Sequence, residues 1–206
     1  MFKYFTAPNR AGDQWFSVGL ASSFPDLGQD EEEVGVLSQP RPCGGGDGKR
    51  PGCKAFHVPK LDSSKSQEIP IIPSAGDDGT TQQQTTSDIG GGVISESESL
   101  PLEEQVLVFR YKGKFHAVDH SCPHSSFPLS KGIPFDIEDF GVILSAGISC
   151  PKHGWSFDLF TGMSDRGNYK LKIWEVQLRD SAGPKKAENR DIGDKEVWVR
   201  RKQRMG

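Results

Sequence analysis

The sequence predicts an all-β protein built from short strands at turn-punctuated intervals. Short stretches rich in β-branched and aromatic residues, several alternating apolar and polar with period two, recur between turn residues at 15–20, 53–58, 105–118, 155–159, 170–178 and 196–200. No long amphipathic helix interrupts them. The apolar deficit of the chain, 34% hydrophobic with 24 Gly and 14 Pro, is concentrated in two polar stretches rather than spread evenly.

Taken in order, Trp15, Phe16, Val18 and Leu20 mark a first strand that ends near Phe24-Pro25 and needs a partner from elsewhere in the chain. Residues 25–52 turn acidic at 30–33 and then Pro/Gly-rich, which reads as a flexible insertion. Cys53, Ala55 and His57 face one side of the next strand, with Phe56 and Val58 on the other, as in a half-buried strand. Residues 61–104 form a second flexible insertion. Its 61–100 part lacks Phe, Trp, Tyr, Cys and His, so it cannot bury enough apolar surface to offset the entropy of ordering. The Ser/Glu run at 95–99 within it reads as solvated linker. Two strands around Lys112-Gly113 make a hairpin, and residues 125–149 read as loop with one helical turn and a short strand at 142–144. Trp155, Phe157 and Leu159 alternate toward a Thr161-Gly162 turn, and 170–178 and 196–200 close the fold. The basic end, Arg200, Arg201, Lys202 and Arg204, reads as a solvated tail because no aromatic residues interleave with it.

The 206 residues, 22.6 kDa, suit one domain over 1–206 that includes both insertions. A net charge of −3 gives no global attraction to nucleic acid or an anionic membrane. No stretch approaches the roughly 18 apolar residues of a membrane span, and the first residues lack the apolar core of a secretory signal. A soluble cytoplasmic protein is therefore expected, in a reducing compartment where Cys43 and Cys53 are free thiols and no disulfide forms.

Chemistry concentrates in Cys122-Pro123-His124 and Cys150-Pro151-Lys152-His153. Each loop brings one thiolate and one imidazole to the same place. Two such loops facing each other offer two soft sulfurs and two nitrogens, a split that suits a pair of inequivalent irons. The other histidines fit structural roles: His57 and His116 on strands, and His120 as a surface or core side chain.

From 106–109 through both Cys/His loops, 154–158, Thr161-Gly162, Tyr169, Leu171 and Val197, the chain resembles the Rieske ferredoxin family, with 15–20 and 53–58 similar to its opening strands. That resemblance implies a single Rieske domain of stacked antiparallel sheets with two cluster-binding loops at one tip. It implies one [2Fe-2S] cluster per chain, with Cys122 and Cys150 on one iron and His124 and His153 on the other. In high-potential members a disulfide ties the two loops and two hydroxyls donate to the cluster sulfurs. At the matching positions this chain has Phe127 and Lys152, and Trp155 and Phe157, which implies a potential at the low end of the range. The 25 residues between His124 and Cys150 exceed the family pattern and bear on the surface shown to a partner.

The function so implied is an electron carrier, passing single electrons between a reductase and an oxygenase or oxidase, with redox proteins as partners and neither nucleic acid nor membrane. Alternatives are a small Rieske subunit of a nitrite-reductase-like complex and a structural zinc module using the same Cys₂His₂ set. A complete Rieske oxygenase would need a further mononuclear iron site, for which only three histidines remain in a chain too short for the catalytic domain.

Overall fold

The computed structural model describes residues 14–28, 35–42, 49–71, 100–180 and 194–202. Thirteen strands are formed: β1 Phe16–Leu20, β2 Asp26–Leu27, β3 Pro40–Pro42, β4 Lys49–Pro51, β5 Cys53–His57, β6 Gln67–Ile69, β7 Gln105–Tyr111, β8 Lys114–Asp119, β9 Ile133–Asp139, β10 Val142–Cys150, β11 Trp155–Asp158, β12 Trp174–Asp180 and β13 Lys195–Arg201. The only helical turns among the described residues are of the 3-10 type.

Three sheets stack. The middle one carries β6, β5 and β7 in order, with β8 on the free edge of β7 and β2 pairing in parallel with Arg110 and Tyr111. Its two inner strands are buried on both faces. Leu107, Phe109, Tyr111, Cys53 and Ala55 pack into one core with Ala146, Ile148 and Phe157 of the β11-β10-β9 sheet. Val106, Val108, Phe56 and Val58 pack into a second core with Phe16, Val18, Trp174, Val197 and Val199 of the β1-β13-β12 sheet. A strand in such a position loses its alternation and reads as a continuous apolar run, as 106–109 does. β5, expected to be half-buried, is likewise covered on both sides.

The first strand finds its partner at the far end of the sequence: β1 pairs β13, which also pairs β12. Two residues of the expected basic tail, Arg200 and Arg201, are part of this sheet, while Arg204 lies outside the described residues. Arg200 pairs with Glu175 on β12, and Arg201 lies against the Trp174 ring and donates to the carbonyls of Val58 and Pro59.

Three further expectations are corrected. Within 125–149 the expected helical turn falls at Leu129–Lys131, but the rest is not loop: Ile133 to Cys150 form a long hairpin, β9 against β10, around Phe140 and Gly141, both in left-handed backbone (φ 47° and 76°). Two consecutive positive φ values match the twist of a two-residue hairpin turn. The mixed run Asp136, Ile137, Glu138 and Asp139 hid β9, because an edge strand needs only weak alternation. The strand expected at 170–178 begins at Trp174; before it, Lys170 and Ile173 make single bridges to Met163 and Val118. Finally, the described ends of the two expected insertions belong to the fold. Leu27 and Leu37 are fully buried, and the Leu37 and Ser38 N–H groups donate to Gly132 O and Ser130 O. Leu27 between Asp26 and Gly28, and the short Val36-Leu37 pair, carry no period, yet each leucine fills a core position. Residues 29–34, 43–48 and 72–99, including Cys43 and the Ser/Glu run, lie outside the described residues.

Gly147 on β10 lies under the Phe135 ring of β9, where an added Cβ would stand 2.5 Å from Cζ. Gly147→Ala should therefore displace Phe135 and cost about 1–3 kcal/mol, read as a lowered denaturant midpoint. The same change at Gly113, where nothing lies within 4 Å of the added carbon, should cost only the strain of its positive φ of 78°.

Candidate metal centre

Strands of one sheet end on each Cys/His loop. β8 delivers the first: His120 N–H donates to Gln105 O at 2.9 Å and Leu129 N–H to His120 O at 2.8 Å, fixing the chain as it leaves the sheet. The loop then closes on itself. Cys122 N–H donates to Phe127 O (2.9 Å) and Ser126 N–H to Cys122 O (2.8 Å), with Ser126 left-handed at φ 49°. The second loop is the turn between β10 and β11. Cys150 pairs with Trp155 across it, Gly154 N–H donates to Cys150 O at 3.0 Å, and Gly154 supplies a φ of 66°.

The two cysteines lie together and buried, each about 1% exposed. Burial first, and then the neighbouring Cys122, raise the Cys150 thiol pKa, while the Lys152 N–H and the Ser125 hydroxyl pull it down. The imidazoles form the other pair, His124 and His153 with ring centroids 5.1 Å apart. His153 is exposed and His124 is half-buried.

His124 is held by rings the motif does not contain. Trp155 stacks on it at 4.3 Å, and Tyr169 stands edge-on to both, at 5.1 Å from His124 and 5.0 Å from Trp155. The segment carrying Tyr169 is tied back: Asp165 accepts from Ser156 N–H, and Arg166 donates to Gly154 O at 3.0 Å. Gly167 is required there, since a Cβ would meet the Trp155 ring at 2.8 Å. Phe127 covers the opposite side, with the Lys131 and Lys152 ammoniums 5.7 and 5.8 Å from its ring centroid.

Whether this donor set fits iron is answered by two observations. The Nδ1 of His124 is buried without a hydrogen-bond partner, which is costly unless something else takes its lone pair. Burial beside a second sulfur also holds the Cys150 thiol above its ordinary value, an obstacle to the thiolate that a bound cation removes. Among the described residues no three Cys, His, Asp or Glu side chains gather closely enough to hold one metal ion. The four donors instead stand as a sulfur pair and a nitrogen pair. A thiol pair and an imidazole pair are the donor types that two inequivalent iron atoms take.

The remaining histidines are placed elsewhere. His57 lies 3.3 Å from the Glu104 carboxylate, and His120 Nδ1 lies 2.8 Å from Gln105 Oε1. His116 stacks on Phe109 at 5.5 Å beneath the edge of Phe160. Cys53 is a buried free thiol, its pKa raised by burial.

Comparison with known proteins agrees with this geometry. The Rieske [2Fe-2S] domain family matches residues 87–174, which contain both loops, Trp155 and Tyr169. The 3-phenylpropionate/cinnamic acid dioxygenase ferredoxin subunit of Photorhabdus laumondii is 31% identical over 98 residues, covering 47% of this chain and 83% of that protein. Apoptosis-inducing factor 3 of Mus musculus is 41% identical over 59 residues, 28% of this chain and only 8% of the length of that relative. Among solved structures, a nitrite reductase small subunit from Mycobacterium tuberculosis, NADH-dependent by its description, aligns with 48% of this chain and 74% of its own at 22% identity and a TM-score of 0.35. The chain belongs to the Rieske [2Fe-2S] family, whose cofactor is a [2Fe-2S] cluster. The family match leaves out β1, β5 and β13, which complete the sheets around it.

Burial, and to a lesser extent the charge of Lys114, lower the His116 pKa from 6.5 to about 4, against a smaller opposing pull from Asp158. Below pH 6.5 the unfolded chain therefore takes up a proton that the folded one refuses. The associated stability is complete above about pH 6.5 and is lost as pH falls toward 4. From pH 7 to 4 the native protein should lose up to about 3 kcal/mol more unfolding free energy than its His116→Phe variant. Denaturant titrations of the two proteins across that range check this.

Proposed function

We propose that this chain is a one-electron carrier of the ferredoxin type, with Cys122, His124, Cys150 and His153 as the residues that hold its cluster. The observation that carries the reading is the division of the donor set, with both thiols buried under the loops and both imidazoles at the rim, where His153 reaches solvent. A His-ligated [2Fe-2S] cluster, when bound, accepts or gives up a single electron at a higher potential than an all-cysteine one.

The chain's own residues set the conditions for that exchange. Phe127 and Leu129 exclude water from the Cys122 side. Lys152 N–H and Ser125 Oγ, the latter 4.0 Å from the Cys150 sulfur, offer donors to the Cys150 thiolate. Trp155 and Tyr169 fix the plane of His124. Trp155 and Phe157 add no hydroxyl donor, which leaves sulfur charge less stabilised and favours a potential toward the lower end of the span of about −150 to +300 mV. The described residues include no helix long and apolar enough to cross a membrane, which is compatible with a cytoplasmic carrier. The likeness to a dioxygenase ferredoxin subunit supports a reductase as donor and an oxygenase or oxidase as acceptor. The redox role is then that of a carrier within an oxidoreductase system rather than of a complete enzyme.

Electron paramagnetic resonance of the purified, dithionite-reduced protein tests the reading. A rhombic signal with the low average g of a His-ligated cluster is expected; Cys122→Ser and His153→Ala should each remove it. A colourless protein carrying one zinc per chain would defeat the proposal. We further propose that residues 72–99 are an insertion dispensable for the site, so replacing them with a Gly-Ser linker should leave that spectrum unchanged.

A further inference from the structure

The cluster tip carries a charge opposite to that of the chain. The whole protein is net −3. On and against the two loops, however, the described residues bring Lys152 next to the exposed His153, Lys131 with Lys152 over the Phe127 ring, Arg166 onto Gly154 O and Lys170 next to Tyr169, with the acid Asp165 among them. Asp165 is occupied by Arg166, at 2.8 Å. Lys131 and Lys152 have no carboxylate partner among the described residues; both sit exposed over the Phe127 ring, beside the first loop. Lys170 is exposed next to Tyr169, on the His124 side. The Lys-flanked Phe127 adds a half-buried aromatic surface of the kind that docks against another protein.

We propose that the tip is a docking surface for a redox protein that presents acidic side chains around its own centre, recognised by Lys131, Lys152 and Lys170. This rests on the electron-carrier reading above and specifies the partner's chemistry. A cationic patch at the point of electron exit steers an anionic surface toward His153, although the chain as a whole would repel it. Steering by local charge is worth roughly 10- to 1,000-fold in association rate and fades as salt screens it. A protein partner is favoured over a nucleic acid because the patch is small and centred on the redox loop, and because the net charge opposes a polyanion that extends beyond it.

Small oxidants of known charge test the sign of the local field. In stopped flow, the reduced holoprotein gives one electron to hexacyanoferrate(III), forming hexacyanoferrate(II), or to tris(phenanthroline)cobalt(III), forming the cobalt(II) complex. If the tip governs approach, the rate with the anionic oxidant should fall severalfold between about 10 and 300 mM ionic strength and the rate with the cationic one should rise. The Lys131→Glu/Lys170→Glu variant should slow hexacyanoferrate at low salt by about tenfold or more, with its paramagnetic resonance spectrum unchanged.

Binding gives a second readout that needs no electron transfer. Calorimetric titration with a glutamate oligopeptide should show an interaction that the double variant loses. Salt dependences that follow the net charge of −3, or an oligopeptide interaction indifferent to both substitutions, would overturn the inference. So would tighter binding of a single-stranded oligonucleotide of equal charge. Failure of the underlying reading looks different: the wild-type protein would show no reducible cluster at all.

Discussion

Everything in this molecule depends on one strand being buried on both faces. β7 has no solvent side: its even-numbered valines fill the core shared with β1, β12 and β13, and its odd-numbered Leu107, Phe109 and Tyr111 fill the core shared with β10 and β11. Burial of that much apolar side chain is the largest favourable contribution available to a domain that has no α-helix among its described residues. It also fixes register absolutely, because a slip of one residue would exchange the two cores. The loop after β8 inherits that precision, since β8 pairs β7 over its full length before the chain reaches Cys122.

Rigidity at the site is thus borrowed from the sheets. The two cysteines belong to the same core as Leu107 and Phe109, so the sulfur side of the centre is built as interior. The imidazole side is built as surface, held by ring stacking rather than by burial. A centre with a dry, fixed half and an accessible half suits outer-sphere electron exchange, which requires little rearrangement and a short path to a docked protein. The uncompensated lysines beside that accessible half give the path a direction.

Two features were legible in the sequence because they are local. The Cys-Pro-His and Cys-Pro-Lys-His spacings place sulfur and nitrogen at one loop regardless of what surrounds them, and the Lys112-Gly113 turn announces its hairpin. β9 was not legible: it is an edge strand satisfying one neighbour only, with Glu138 and Asp139 exposed and Asp136 held by Tyr111 and Lys112, and its pattern is indistinguishable from loop. Leu27 and Leu37 were missed for a related reason. Neither falls in an alternating or helical apolar pattern, since Leu27 stands between Asp26 and Gly28 and Leu37 closes a short Val36-Leu37 pair, and only the core that each fills gives it meaning.

By itself the sequence determined the all-β class, the two donor loops and the character of the flanking strands, since each follows from residue type and spacing within about ten positions. Only the tertiary structure decided that β1 closes against β13, that Arg201 is clasped rather than solvated, and that Trp155 and Tyr169 orient His124. It also decided that Lys131 and Lys152, from separate segments, meet over the Phe127 ring. These are contacts between residues far apart along the chain, and no local pattern encodes them, because the energy that selects them is the packing of whole sheets.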